Sequence, residues 1–338
     1  MNQEENVGGQ ALIEGVMMRG KNHYTLALRK ESGEIKLITK DIKSLATRWP
    51  VLKSPFLRGV IALFESMAIG IKSLILSANE ALPDEEKAKT KKAEGFTIGL
   101  MVVFSLVVGM GIFVAIPNIL TEVFGIRETE TPIRFNLIAG FIRMSLFVGY
   151  VYGISMMKDV RRVFEYHGAE HKAVNTYEAG EELTLANAVK FTTYHPRCGT
   201  SFMFFVFFIS IFVFSVVPVA IIAVFPGFKV LHDNATLNIV YQKMILIPSH
   251  ILLLPIVASV SYEVLKLSFK KQSNIIVKWI SRPGYYIQKL TTKEPDESQL
   301  EVALAALNEV VHLMSLETEE IAETVVQPAE GVLAGEAI

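Results

Sequence analysis

His167, Glu170 and His171 fall in the run Phe164-Glu165-Tyr166-His167-Gly168-Ala169-Glu170-His171-Lys172, and His195 and Cys198 follow in Tyr194-His195-Pro196-Arg197-Cys198-Gly199. Residues four apart share a helix face, so His167 and His171 present two imidazoles one turn apart, with Glu170 beside them. Two imidazoles so placed can share a metal ion, and an adjacent carboxylate can take a proton from a water that the ion polarises. His195 and Cys198 are three apart, with Pro196 between them and Gly199 after, a turn that lets a borderline and a soft donor converge. His167, His171, His195 and Cys198 together make a three-histidine, one-cysteine set suited to tetrahedral zinc. Three of the seven histidines and the single cysteine lie in this one stretch.

The order His-x-x-Glu-His is that of the inverted zincins. Four protein ligands would close the shell and make the site structural, whereas three ligands and a water would leave Glu170 a general-base task; the residues alone support both. The plainer alternative is that the histidines cap helix ends or meet lipid headgroups, with Cys198 a small core residue. Glu263, in Ser261-Tyr262-Glu263, is expected at the same level as this loop, as a carboxylate bracing the ligands from behind or as a fifth ligand. Arg143 and His250 lie at membrane depth, where charge is costly, and are expected to face inward as a hydrogen-bonded pair.

These residues need a scaffold, and it is a bilayer-spanning one. Of the 338 residues 51% are hydrophobic, with 21 Phe, too apolar for an ordinary soluble domain of this length. Hydrocarbon about 30 Å thick needs roughly 20 apolar residues of helix, and Phe96–Leu120, Phe135–Met157, Ser201–Phe225 and Met244–Leu265 meet that need. Basic residues alternate by loop. Lys87, Lys89, Lys91 and Lys92 precede the first span, while the loop after it holds only Arg127 and Arg134. The second loop carries Lys158, Arg161, Arg162, Lys172, Lys190 and Arg197, the third only Lys229 and Lys243, and the C-terminal side is again basic. Positive-inside logic therefore places both termini in the cytoplasm, around four spans. Arg58–Ala78 is apolar but carries Glu65 and Lys72, and is expected to lie in the interface rather than to cross.

The expected fold is mainly α, with four transmembrane helices, an interfacial amphipathic helix and a small α+β cytoplasmic domain. Its organisation is a cytoplasmic N-terminal segment (1–56), the amphipathic helix and a basic linker (57–94), spans one and two (95–157), and the metal-type loop (158–200). Spans three and four (201–265), C-terminal helices (266–315) and a disordered acidic tail (316–338) follow. Tyr24–Lys30 and Glu34–Asp41 alternate around Ser32-Gly33 as a hairpin, and the glycines of Gly8–Gly20 read as turns at strand ends or as backbone open to a ligand. Asn274–Ile280 is a short amphipathic patch ended by Arg282-Pro283-Gly284, and Leu300–Met314 has one apolar face that needs a partner, most simply the N-terminal domain. Net charge is −1, so no global field argues for nucleic acid. A lone cysteine excludes an internal disulfide, and the N-terminus lacks the charged and apolar regions of a secretory signal.

Gly8–Gly20, His167–Lys172, His195–Phe202, Ser261–Glu263 and Lys289–Ala303 resemble the YqhQ-like family of uncharacterised bacterial multi-pass membrane proteins, described as predicted metal-dependent enzymes. The resemblance runs from about Gly8 to about Leu307 and implies a site at His167, Glu170, His171, His195 and Cys198. The expected function is a metal-dependent hydrolase of the cell membrane, with zinc at the cytoplasmic interface and a lipid or membrane-protein substrate. The alternative is a non-catalytic factor for membrane-protein insertion, translocation or assembly, with a structural zinc site. The bilayer is the expected partner, with another membrane protein or complex beside it and no nucleic acid. A transporter built on Arg143 and His250 is weakest, because the spans carry few polar groups and no repeat.

Overall fold

Alternating apolar residues at the N-terminus fold as an antiparallel meander of β1 (Gly8–Leu12), β2 (Gly15–Arg19), β3 (His23–Arg29) and β4 (Ile35–Asp41), in that spatial order. The computed structural model describes residues 7–42, 57–81, 94–270 and 274–333, together with Ser44, Trp49 and Ser54. Lys87, Lys89, Lys91 and Lys92, whose charges entered the topology argument, lie outside the described residues. The expected hairpin is β3–β4, with His23 opposite Asp41, and Gly33 turns it with φ of 86°. The glycine-rich segment before it is a second hairpin, β1–β2, rather than turns alone. Its tip residue Glu14 has φ of 51°, an uncommon conformation for a residue with a side chain. Both carboxylate oxygens of Glu14 are held by the Arg162 guanidinium, and the Tyr166 hydroxyl donates to it at 3.2 Å.

Five helices are long and apolar enough to cross a membrane: Leu57–Glu80, Gly99–Val123, Pro132–Ser155, Gly199–Val224 and Ala235–Ser268. The last four coincide with the expected spans, and the first is the amphipathic segment, here α1 (Leu57–Glu80). Its first turns pack on α8 (Ala235–Lys270), where Arg58 binds both oxygens of Glu263 at 2.8 and 2.7 Å. Its remaining length lies on the sheet. Ser77 Oγ accepts from Ile13 N at 3.3 Å, Lys36 pairs with Glu80 at 2.7 Å, and Ile69 and Leu76 pack on a cluster that includes Leu12, Met17 and Leu26. Phe64, Met67 and Leu74 face away, exposed.

The next apolar stretch is α2 (Glu94–Met110), a π turn at Gly111–Ala115 and α3 (Ile116–Val123). Pro117 lacks an N–H, which releases the carbonyl four residues back. That carbonyl, of Phe113, accepts from Arg143 Nε at 2.6 Å, and Arg143 Nη1 donates to Ser210 Oγ at 3.0 Å. Arg143 lies on α4 (Pro132–Ser155) and Ser210 on α7 (Gly199–Val224). The expected Arg143–His250 pair is replaced by an indirect arrangement around Phe214. His250 stacks on its ring at 4.3 Å, the Arg143 guanidinium lies 5.6 Å from it, and His250 Nε2 faces Glu128 at 3.2 Å. Lys243 also reaches Glu128, at 2.9 Å, so the loop carboxylate takes the arginine's place as partner for His250.

α5 (Lys158–Glu178) follows α4, and a short turn α6 (Leu185–Ala188) leads towards α7. α9 (Ile275–Thr291) begins at the expected patch but runs through Pro283 instead of ending there. One reason is contact: a Cβ at Gly284 would stand 2.9 Å from Ser201 Oγ, so glycine lets α9 seat against the start of α7. α10 (Glu297–Leu333) opens on a capping box in which Asp296 Oδ1 accepts from Gln299 N at 2.8 Å and Gln299 Oε1 accepts from Asp296 N at 3.0 Å. Its expected apolar face is buried, with Leu300, Ala303, Leu304, Leu307 and Val310 packed with Val16, Met18 and Ala27 of the sheet and with Ala169 and Ala173 of α5. The helix continues to Leu333, into the stretch expected as an acidic tail. Glu317 is tied to the sheet by Asn22 at 2.8 Å and His23 at 2.6 Å.

Candidate metal centre

α5 carries His167 and His171 on one face, their ring centroids 4.5 Å apart. His167 Nδ1 lies 2.9 Å from the Thr291 carbonyl and His171 Nδ1 lies 2.5 Å from the Thr193 carbonyl. A carbonyl only accepts, so each Nδ1 carries a proton, and in the neutral ring the lone pair is on Nε2. This tautomer is the one that metal-ligating histidines adopt. His167 Nε2 points to Cys198 Sγ at 3.4 Å, and donor atoms of His167, His171 and Cys198 all lie within 4.8 Å of one another. One Zn–N and one Zn–S bond at the tetrahedral angle would set these donors about 3.6 Å apart.

Two glycines make this convergence possible. A Cβ at Gly168 would stand 1.9 Å from the Lys293 carbonyl, so only glycine there lets α5 touch the segment whose Thr291 carbonyl holds His167. A Cβ at Gly9 would stand 2.6 Å from Glu170 Cγ, so β1 passes directly over that carboxylate. Glu170 is 5% exposed, and its Oε2 lies 3.5 Å from His171 Nε2. Cys198 is the residue just before α7, and its sulfur is also 3.1 Å from Thr200 Oγ1.

His195 does not join the trio. Its ring is 5.6 Å from that of His171, its Nε2 faces Glu178 Oε2 at 3.3 Å, and its Nδ1 accepts from Arg197 N at 3.4 Å. Glu178 lies seven residues after His171 on the same helix face and also pairs with Arg197, so a carboxylate holds the imidazole that was expected as the fourth ligand. Burial depresses the His195 pKa, against the raising effect of the Glu170 charge, and the same two influences act on Arg197. Glu263 is likewise not brought to the trio; Arg58 of α1 holds it.

Gln288 of α9 is a site residue that spacing alone did not reveal. Fully buried, it accepts from His195 N at 3.0 Å and donates to the His195 carbonyl at 2.9 Å and to Ser201 Oγ at 2.8 Å. It thus clamps the turn that delivers Cys198. Lys172, next to His171, is buried and donates to the Val189 carbonyl at 3.0 Å while pairing with Glu294. The donors and their supports therefore come from α5, the 189–198 loop and α9, held together by hydrogen bonds between distant residues.

Residues 54–313 match the family model described as Protein of unknown function (DUF1385). Over 322 residues the chain is 33% identical to "Uncharacterized protein YqhQ" of Bacillus subtilis (strain 168), covering 91% of this chain and 93% of that protein. No solved structure matches the chain.

Proposed function

The chain belongs to the family described as Protein of unknown function (DUF1385), and for it we propose a metal-dependent hydrolase embedded in the cell membrane. His167, His171 and Cys198 would hold zinc at the cytoplasmic face, with Glu170 as general base, and the substrate is a lipid or a membrane protein. The observation that carries this reading is that carbonyls hold both Nδ1 atoms, His167 Nε2 points to the Cys198 thiol, and donor atoms of His167, His171 and Cys198 lie within 4.8 Å of one another. The donor set fits zinc, since two imidazoles and a thiolate are its common ligands and three of them leave one tetrahedral position open. When bound, the ion supplies Lewis acidity and lowers the pKa of water.

The residues of the chain divide the remaining work. Glu170, buried beside the trio, receives a proton at its carboxylate and returns it to the leaving group. His195, Glu178 and Gln288 hold the turn that fixes Cys198. β1 and α5 close over Glu170 and limit the water that reaches it. Four spans, with α1 in the interface and both termini inside, put this site at the headgroup level. That topology rests on the alternation of basic loops and on α1 lying along the sheet.

Burial of His171 and Cys198 favours a second reading, a closed zinc site that staples α5 to α7 in a non-catalytic assembly or insertion factor. Glu170→Gln separates the two. A hydrolase loses function in a strain depending on this chain while the purified variant keeps its metal and melting temperature. A structural site leaves function intact in that variant, which would sink the catalytic proposal.

A further inference from the structure

The glycine-rich hairpin β1–β2, besides its core contacts, forms one wall of a recess of about 350 Å³. Gly8, Gln10 and Arg19 come from the first hairpin, Ser66 from α1, and Arg197 from the turn before Cys198. A Cβ at Gly8 would meet nothing within 4 Å, so the main chain there is open to a ligand. Arg19 Nη1 donates to Ser66 Oγ at 3.0 Å, with Glu65 at 4.0 Å from its Nη2, and Arg197 donates to the Val7 carbonyl at 3.1 Å beside its pairing with Glu178. These contacts aim each guanidinium. Among the described residues no carboxylate lines the recess.

Two aimed guanidiniums, a hydroxyl and bare main chain, with no lining carboxylate, recognise a tetrahedral oxyanion. The volume is at the small end of ligand pockets, room for a headgroup and not for acyl chains. Gly9, in the wall, is the residue over which Glu170 lies. We propose that this recess binds the phosphate of a phosphate ester, either a glycerophospholipid headgroup or a soluble ester. As the substrate subsite of the hydrolase it rests on the reading above; as an anion site it stands by itself.

Calorimetric titration of the purified full chain in a non-ionic detergent tests this with three probes: sn-glycerol 3-phosphate, dihexanoylphosphatidic acid and neutral dihexanoylglycerol. Saturable binding of a phosphate probe without binding of the neutral one is expected. Arg19→Gln weakens it about tenfold, the worth of one charge-assisted contact, and Gly8→Leu weakens it by filling open space. Lys36→Gln, which removes a pair made with Glu80 on another part of α1, leaves it unchanged. Binding of glycerol 3-phosphate comparable to that of the lipid assigns a soluble ester, and binding of the lipid alone assigns the headgroup. The proposal is overturned if neither phosphate probe saturates, if the neutral probe binds as well, or if both recess variants, melting like the parent, bind like it. Metal content measured on the same samples keeps the two readings apart: phosphate binding by a metal-free chain removes the hydrolase, and metal without phosphate binding removes only this subsite.

Discussion

The Nδ1 atoms of His167 and His171 decide what the rest of each ring can do. Carbonyls of Thr291 and Thr193 hold them, so neither ring can turn over without orphaning its Nδ1 donor, a loss of about 1–3 kcal/mol. Gly168→Ala should therefore be severe. Its Cβ would collide with the Lys293 backbone, and overpacking of this kind costs about 1–3 kcal/mol or more, measurable as a lower melting temperature. Gln288→Ala strips partners from His195 N, the His195 carbonyl and Ser201. It should lower stability by several kcal/mol, about 1 or more per buried group, and loosen metal retention, whereas Gln288→Glu retains only the acceptor function. The His-x-x-Glu-His part of the site was legible in the sequence because helix geometry fixes which side chains of a four-residue step meet. His195 was not, because it sits in a loop where Glu178 competes for it, and Glu263 was not, because its partner Arg58 is 205 residues away.

The capping box at α10 carries a pH signature. Burial pushes the Asp296 pKa up, but hydrogen bonds from Ser298 and Gln299 and the Arg162 charge outweigh it, and the folded pKa lies below its ordinary value. A depressed carboxylate pKa contributes stability that is fully present above the unfolded pKa of about 3.9. That contribution is lost as pH falls through the lower folded value. Asp296→Ala should cost about 1 kcal/mol near neutral pH and flatten the acid limb of a melting-temperature profile below the unfolded pKa of about 3.9. The apolar period of Leu300–Met314 was readable because it repeats on one face, and the box itself is a local signal. The passage of α9 through Pro283 was not readable, since it depends on Gly284 meeting Ser201 from another helix. The π turn before Pro117 was hidden for the same reason: its released carbonyl matters only because Arg143 arrives from α4.

For the molecule as a whole, the spans act as a platform whose ends gather α5, α9 and the sheet around the trio. Hydropathy made the long apolar helices legible, because bilayer thickness acts on sequence directly. The second hairpin was hidden because β1 is short and glycine-rich, and its strand state depends on pairing with β2. Sidedness is open to a direct check, since Cys198 is buried in the parent chain. A cysteine placed at exposed Asp233 should react with a membrane-impermeant maleimide added to intact cells, and one at exposed Glu181 should react only after permeabilisation. The opposite pattern would invert the topology and move the trio to the other face.

The metal content of the purified full chain, set against that of His171→Ala and Glu170→Gln, tests the central claim most directly. About one zinc per chain in the parent and in Glu170→Gln, with loss in His171→Ala, is the expected result. A parent chain free of metal, or equal metal in His171→Ala with its fold intact, would contradict the assignment of His167, His171 and Cys198 as a metal centre.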